Sequence, residues 1–132
     1  DGLQAKFSVY HGCAAGLMVG RAGEDEYEDA FVTRADTVAL RAKVHAVVND
    51  AIDEASADVT AHLKDGRQVH VFVEHAIGSM QNPMSDAQLE AKFHSLADGV
   101  IGAERAQAAI AACWAMNQAP SVQALLQAAC PR

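Results

Sequence analysis

The spacing of apolar and polar residues changes twice along the chain, and each change predicts a change of secondary structure. From Phe7 to Gly20 (FSVYHGCAAGLMVG), Tyr10, Cys13, Ala14, Leu17 and Met18 recur at helical spacing. This predicts a helix that starts near Ser8 and is closed by Gly20. Gly12, Gly16 and Gly20 stand four apart on it. An interior glycine costs a helix about 1 kcal/mol relative to alanine, so the repeat predicts a face in close contact with another backbone, with coincidence as the alternative. Five acids surround Tyr27 between Glu24 and Asp29, which suits a solvated face or a helix start. A short helix from Asp36 through Arg41, with Asp36 as N-cap, follows.

Between Lys43 and Glu74 the period falls to two. Lys43 to Asn49 places Val44, Ala46 and Val48 on one side, Ala57 to Leu63 places Val59, Ala61 and Leu63, and Gln68 to Glu74 places Val69, Val71 and Val73. Three strands are predicted. A three-residue Lys64-Asp65-Gly66 loop with Gly66 left-handed sets Ala61 opposite Val69 and Val59 opposite Val71. A two-residue Asp65-Gly66 turn would set Ala61 opposite His70 and mix the faces, so the three-residue loop with a bulge is expected.

Helical spacing returns in Gly78 to Leu96 (GSMQNPMSDAQLEAKFHSL), where Leu89, Phe93 and Leu96 give a helix one face to bury. Ser85 is its expected N-cap, Gln88 completes a capping box, and Asp86 suits the first turn. The polar loop ahead of it, Gly78 to Pro83, leads into amides that lack helical partners. Such a place can receive an anion, and a capped structural connection is the alternative. Ala103 to Met116 predicts a helix with Ala106, Ile110, Cys113 and Trp114 inward, and Ser121 caps a last one carrying Val122, Leu125 and Leu126. The expected class is α+β: a small antiparallel sheet of about three strands, packed with helices and followed by C-terminal helices.

Composition narrows the function. The 132 residues carry a formal net charge of −7, which argues against nucleic acid, whose phosphates need clustered Lys and Arg. No apolar run approaches the roughly 20 residues that span a bilayer. No initiator Met, signal peptide or lipidation motif is present, so the chain is expected to be a piece of something longer. Cys13, Cys113 and Cys130 are odd in number and widely spaced. They read as reduced, mostly buried thiols of a cytoplasmic protein, not as a disulfide frame or zinc site.

With six His and many carboxylates, accidental constellations are easy to find. His70-Val-Phe-Val-Glu74-His75 superficially resembles a metalloprotease signature, but on a strand His75 points away from His70 and Glu74, and the spacing fits neither zinc motif. No metal ligand set is assigned. His45 and His62 read as the polar side of the sheet, and His94 as the solvent edge of its helix. The start of the first long helix is richer: Lys6, Ser8, Tyr10 and His11 bring a cation, a hydroxyl, a phenol and an imidazole to one helix end. That set suits carboxylate binding with proton transfer. An ordinary histidine with satisfied hydrogen bonds is the alternative for His11.

Ala5-Lys6-Phe7-Ser8-Val9-Tyr10-His11, the Val59-to-Gly66 strand ending LKDG, and GSMQNPMSDAQLEAKF stand in an order and at spacings that resemble the C-terminal part of the MmgE/PrpD family. This family includes 2-methylcitrate dehydratase (of propionate metabolism), cis-aconitate decarboxylase and iminodisuccinate epimerase. The resemblance implies a lid-type domain over residues 1–98 and, over 99–132, helices that return to a larger helical domain. It also implies cofactor-free removal of a proton next to a carboxylate, followed by loss of water, loss of CO2 or reprotonation. By that resemblance the chain is a C-terminal fragment, inactive alone. Its partners are the N-terminal helical domain, a small di- or tricarboxylic acid and, at full length, a second copy in a homodimer. Two lid positions used by decarboxylase-like members, a His and a Tyr, are occupied here by Phe7 and Val48. That departure points to a divergent subgroup, with His11 and Tyr10 as the catalytic candidates and Lys6, Ser8, Ser79 and Asn82 as substrate-side residues. The second expectation is a non-catalytic interaction or oligomerisation module built on the glycine face and the Ala-rich C-terminal helices.

Overall fold

The computed structural model describes residues 1–130. They form two compact units, Asp1–Ala51 and Ile52 onward. The class is α+β, with seven α-helices and a two-stranded antiparallel sheet among the described residues. The expected boundary at residue 98 falls within the last turn of a helix, Asp86–Ile101.

The first unit is helical: α1 (Gly2–Ala5), α2 (Val9–Val19), a 3-10 turn (Glu24–Tyr27), α3 (Asp29–Val32) and α4 (Ala35–Arg41). The limits of α2 are set as expected. Ser8 caps its start, its hydroxyl oxygen accepting from the His11 amide, and Gly20 ends it at φ +73°. Only glycine takes that left-handed conformation without strain. The buried side differs from the predicted stripe. His11, Ala14 and Ala15 are buried, while Tyr10 and Leu17 are exposed. Small residues face inward because α2 packs against α4, where Thr37 is also fully buried. The glycine repeat makes no close backbone contact at Gly16, where an added Cβ would meet nothing within 4 Å. Asp36 lies inside the first turn of α4 instead of capping it, its carboxylate accepting from Arg34 and the Thr37 amide.

Lys43 to Asn49, predicted as a strand, has no regular structure. Val47 and Val48 are 88% and 90% exposed. Alternation alone does not make a strand; it needs a neighbour to accept its backbone hydrogen bonds.

The second unit opens with the hairpin β1 (Ala57–His62) and β2 (Gln68–Val73). Its register is the predicted one, with Ala61 opposite Val69 and Val59 opposite Val71. The turn is a three-residue loop closed by the Leu63 amide donating to the Arg67 carbonyl at 2.8 Å, with Gly66 at φ +87°. No residue of either strand is fully buried.

Then come α5 (Asp86–Ile101), α6 (Ala103–Trp114), a 3-10 turn (Met116–Gln118) and α7 (Gln123–Ala129). The capping box of α5 forms as predicted, the Gln88 amide donating to Ser85 Oγ and the Ser85 amide to Gln88 Oε1. Ser85→Ala is expected to cost about 1 kcal/mol, seen as a lower denaturation midpoint with an unchanged slope; an unchanged midpoint would show that the cap is dispensable.

The predicted inward face of α5 is not buried. Leu89, Phe93, Leu96 and Val100 are exposed, and the half-buried positions are Glu90, His94, Ala97, Asp98 and Ile101. The helix turns its polar stripe toward α6, whose own core positions are Ala106, Ala109 and Ile110. Cys113 and Trp114, expected inward, are exposed, Trp114 being turned to donate to Glu90 Oε1 at 2.7 Å. All three cysteines are free, but only Cys13 is half-buried. At the end of the unit, Arg105 donates to the Gln127 and Cys130 carbonyls that α7 leaves unpaired.

Candidate functional site

The start of α2 separates the four residues predicted to act together. Lys6 and Tyr10 lie on the surface and Ser8 is half-buried, its side-chain oxygen engaged by the His11 amide at 3.3 Å. Phe7, at the position where decarboxylase-like relatives are expected to carry His, is 86% exposed. His11 turns the other way and is fully buried.

The surroundings of the His11 imidazole define its protonation. Nε2 donates to the Glu26 carbonyl at 2.7 Å; since a carbonyl only accepts, Nε2 carries the proton. Nδ1 is then the acceptor and faces Arg41 Nη1 at 3.4 Å, and the same guanidinium nitrogen donates to the Val32 carbonyl at 3.3 Å. The ring packs edge-on against Tyr27 and Phe31, with centroids 5.1 and 6.1 Å away. His11 therefore ties α2 to the 3-10 turn, α3 and α4. The ring is closed to solvent and neither nitrogen is directed outward. The satisfied-histidine alternative is the one the structure adopts.

Glu26, unmarked within the acidic run, is the other charged group of this core. Its side chain is 4% exposed and accepts from Arg21 Nε at 2.9 Å and from the Gly23 amide at 2.8 Å. Burial works to raise its pKa, but the Arg21 hydrogen bond, the Gly23 amide and the Arg21 charge together hold it below the ordinary carboxylate value. Its sequence signal is a Gly-x-x-Glu spacing, in which the side chain folds back on the glycine amide.

In the second unit, the loop before α5 is a self-bonded turn. The Gly78 amide donates to the Asn82 carbonyl, the Asn82 amide to Ser79 Oγ, and Asn82 Nδ2 to the His75 carbonyl. These bonds leave the Ser79 hydroxyl proton and Asn82 Oδ1 uncommitted. Asn82 borders a shallow, open depression of about 500 Å³ at the end of β2, whose polar lining is completed by Glu74, His75 and Gln81. His70, from the set resembling a metalloprotease motif, instead donates across the hairpin to Asp58 Oδ1 at 2.6 Å. Among the described residues, no three His, Cys, Asp or Glu side chains converge as a metal site would require, and no helix is long and apolar enough to cross a membrane.

No curated protein and no solved structure matches the chain. The family model of the MmgE/PrpD C-terminal domain matches residues 1–116. With nearly the whole chain inside that match, and the helix cap, hairpin turn and capping box formed where the resembling motifs stand, the chain belongs to the MmgE/PrpD family as its C-terminal domain.

Proposed function

We propose that this chain is the lid-type part of a cofactor-independent lyase or isomerase that removes a proton next to a carboxylate of a small di- or tricarboxylic acid. The acid–base groups would come from another part of the full-length protein, a cytoplasmic homodimer on this reading. The observation that carries the proposal is the family match over residues 1–116.

The chemistry of the surface agrees with it. Lys6 and Tyr10 in the first unit, and Ser79 and Asn82 in the second, present a cation and hydrogen-bonding groups suited to carboxylates. His11, by contrast, is committed to the fold. The uncovered apolar side chains point the same way. Leu89, Phe93, Leu96 and Val100 on α5, and Val59, Val71 and Val73 on the hairpin, are all 39% or more exposed, as expected of surfaces that pack against the remainder of a larger protein.

The test is hydrogen–deuterium exchange next to the carboxylates of a panel of di- and tricarboxylic acids, followed by NMR in D2O. The full-length protein is expected to exchange at least one of them or convert it to product, and the 132-residue chain is expected to do neither. A full-length protein inert toward the whole panel would overturn the proposal. If that inert protein were also assembled through the apolar faces, the non-catalytic interaction module would be the better description.

A further inference from the structure

The polar stripe of α5 contains a group whose hydrogen bonds depend on its proton. Glu90, His94 and Asp98 stand four apart and half-buried along the side that meets α6. His94 Nδ1 lies 2.8 Å from Asp98 Oδ1 and Nε2 lies 3.2 Å from Gln107 Oε1, on α6. Both partners present an oxygen, and only the imidazolium has an N–H for each. We propose that the α5–α6 seam is a proton-sensitive latch, in which protonated His94 donates to Asp98 and Gln107 at once and fastens the two helices.

In the neutral ring the remaining proton stays on Nδ1, facing the charged carboxylate. The Nε2 lone pair then opposes Gln107 Oε1 until the amide turns over, which replaces a charge-assisted hydrogen bond by a weaker neutral one. The charges around His94 favour the proton. On its own helix these are Asp98 and Glu90, and the latter accepts from Trp114 of α6. From α6 it meets the uncharged Gln107; the charged residues of α6 are Glu104 and Arg105, and Arg105 is turned to the carbonyls of α7. The hydrogen bonds to Asp98 and then Gln107, with the charges of Asp98 and Glu90 behind them, raise the His94 pKa above its ordinary value of 6.5.

The sign follows. With the folded value above the unfolded one, the proton's contribution is complete below pH 6.5 and is lost as pH rises through the raised folded value. The link joins α6 to a helix that has no fully buried residue of its own.

The test is backbone amide exchange in α6 of the whole chain between about pH 5.5 and about 8.5, bracketing the histidine range, corrected for intrinsic rates. The His94 ring is followed by NMR alongside. Protection of α6 is expected to fall roughly three- to tenfold as the ring loses its proton. His94→Gln is expected to abolish that dependence. If His94→Gln does not fold, Gln107→Leu answers the question, because it keeps the His94–Asp98 pair and removes only the link between helices: His94 still titrates while α6 protection stays flat. Constant protection through the wild-type titration, or an undiminished pH dependence in Gln107→Leu, would overturn the latch.

Discussion

Replacing His11 by alanine is expected to destabilise the first unit by about 2–4 kcal/mol. The substitution empties a fully buried ring site between α2 and α4, with the cavity cost of removing a large core side chain. It also leaves the Glu26 carbonyl without its donor in a dry place and takes the Nδ1 acceptor from the half-buried Arg41. Tyr10→Phe, one residue away but exposed, is expected to change stability by no more than about 0.5 kcal/mol. Denaturant unfolding of the two variants distinguishes the roles, and a His11→Ala chain as stable as wild type would return His11 to the list of free acid–base groups. Under the proposed function, activity of the full-length protein lost on His11→Ala should track lost folded protein. A fully folded but inactive variant would contradict the buried role.

Glu26→Gln is expected to cost about 1–3 kcal/mol at neutral pH, the worth of charge-assisted hydrogen bonds to a buried group, and to remove an acid-sensitive step. The pKa of Glu26 is lowered in the fold from its ordinary value of 4.5, so its stabilising contribution is present above that value and is lost as pH falls through the depressed folded one. Wild type should therefore lose stability below about pH 4.5 more steeply than Glu26→Gln. Parallel curves of unfolding midpoint against pH would show that the carboxylate charge does not matter. Arg21 is 66% exposed in its side chain, so Arg21→Ala should be much milder, at or below about 1 kcal/mol.

Local rules account for much of what the chain does. Ser8 and Gly20 bound α2 because an N-cap oxygen and a residue tolerant of positive φ act within a few residues of the helix end. Gly66 and the valine alternation fixed the hairpin register, since only the three-residue loop keeps Val59, Ala61, Val69 and Val71 on one face. The Ser85–Gln88 box is equally local. The third strand failed because Val44, Ala46 and Val48 specify a face but no neighbour, and a strand exists only as half of a pair. The α5 face is uncovered for a related reason: periodicity says that Leu89, Phe93 and Leu96 share a side, not that anything covers it.

For the site, the membership of this family was legible from three ordered motifs, whereas a substrate-side role for Lys6, Tyr10, Ser79 and Asn82 rests on residue type and belongs to the proposed function. What those residue types could not reveal is direction. His11 sits one position from Tyr10 in the sequence, yet on a helix adjacent residues diverge by about 100°, and tertiary contacts with Glu26, Arg41, Tyr27 and Phe31 decide which of the two is enclosed. The same holds for His94, whose partner Gln107 is 13 residues away on another helix. The sequence by itself determined the Ser8 and Ser85 caps, the turn, the hairpin register and the family. Only the tertiary structure decided which side chains are buried, because burial depends on neighbours that spacing along one chain does not specify.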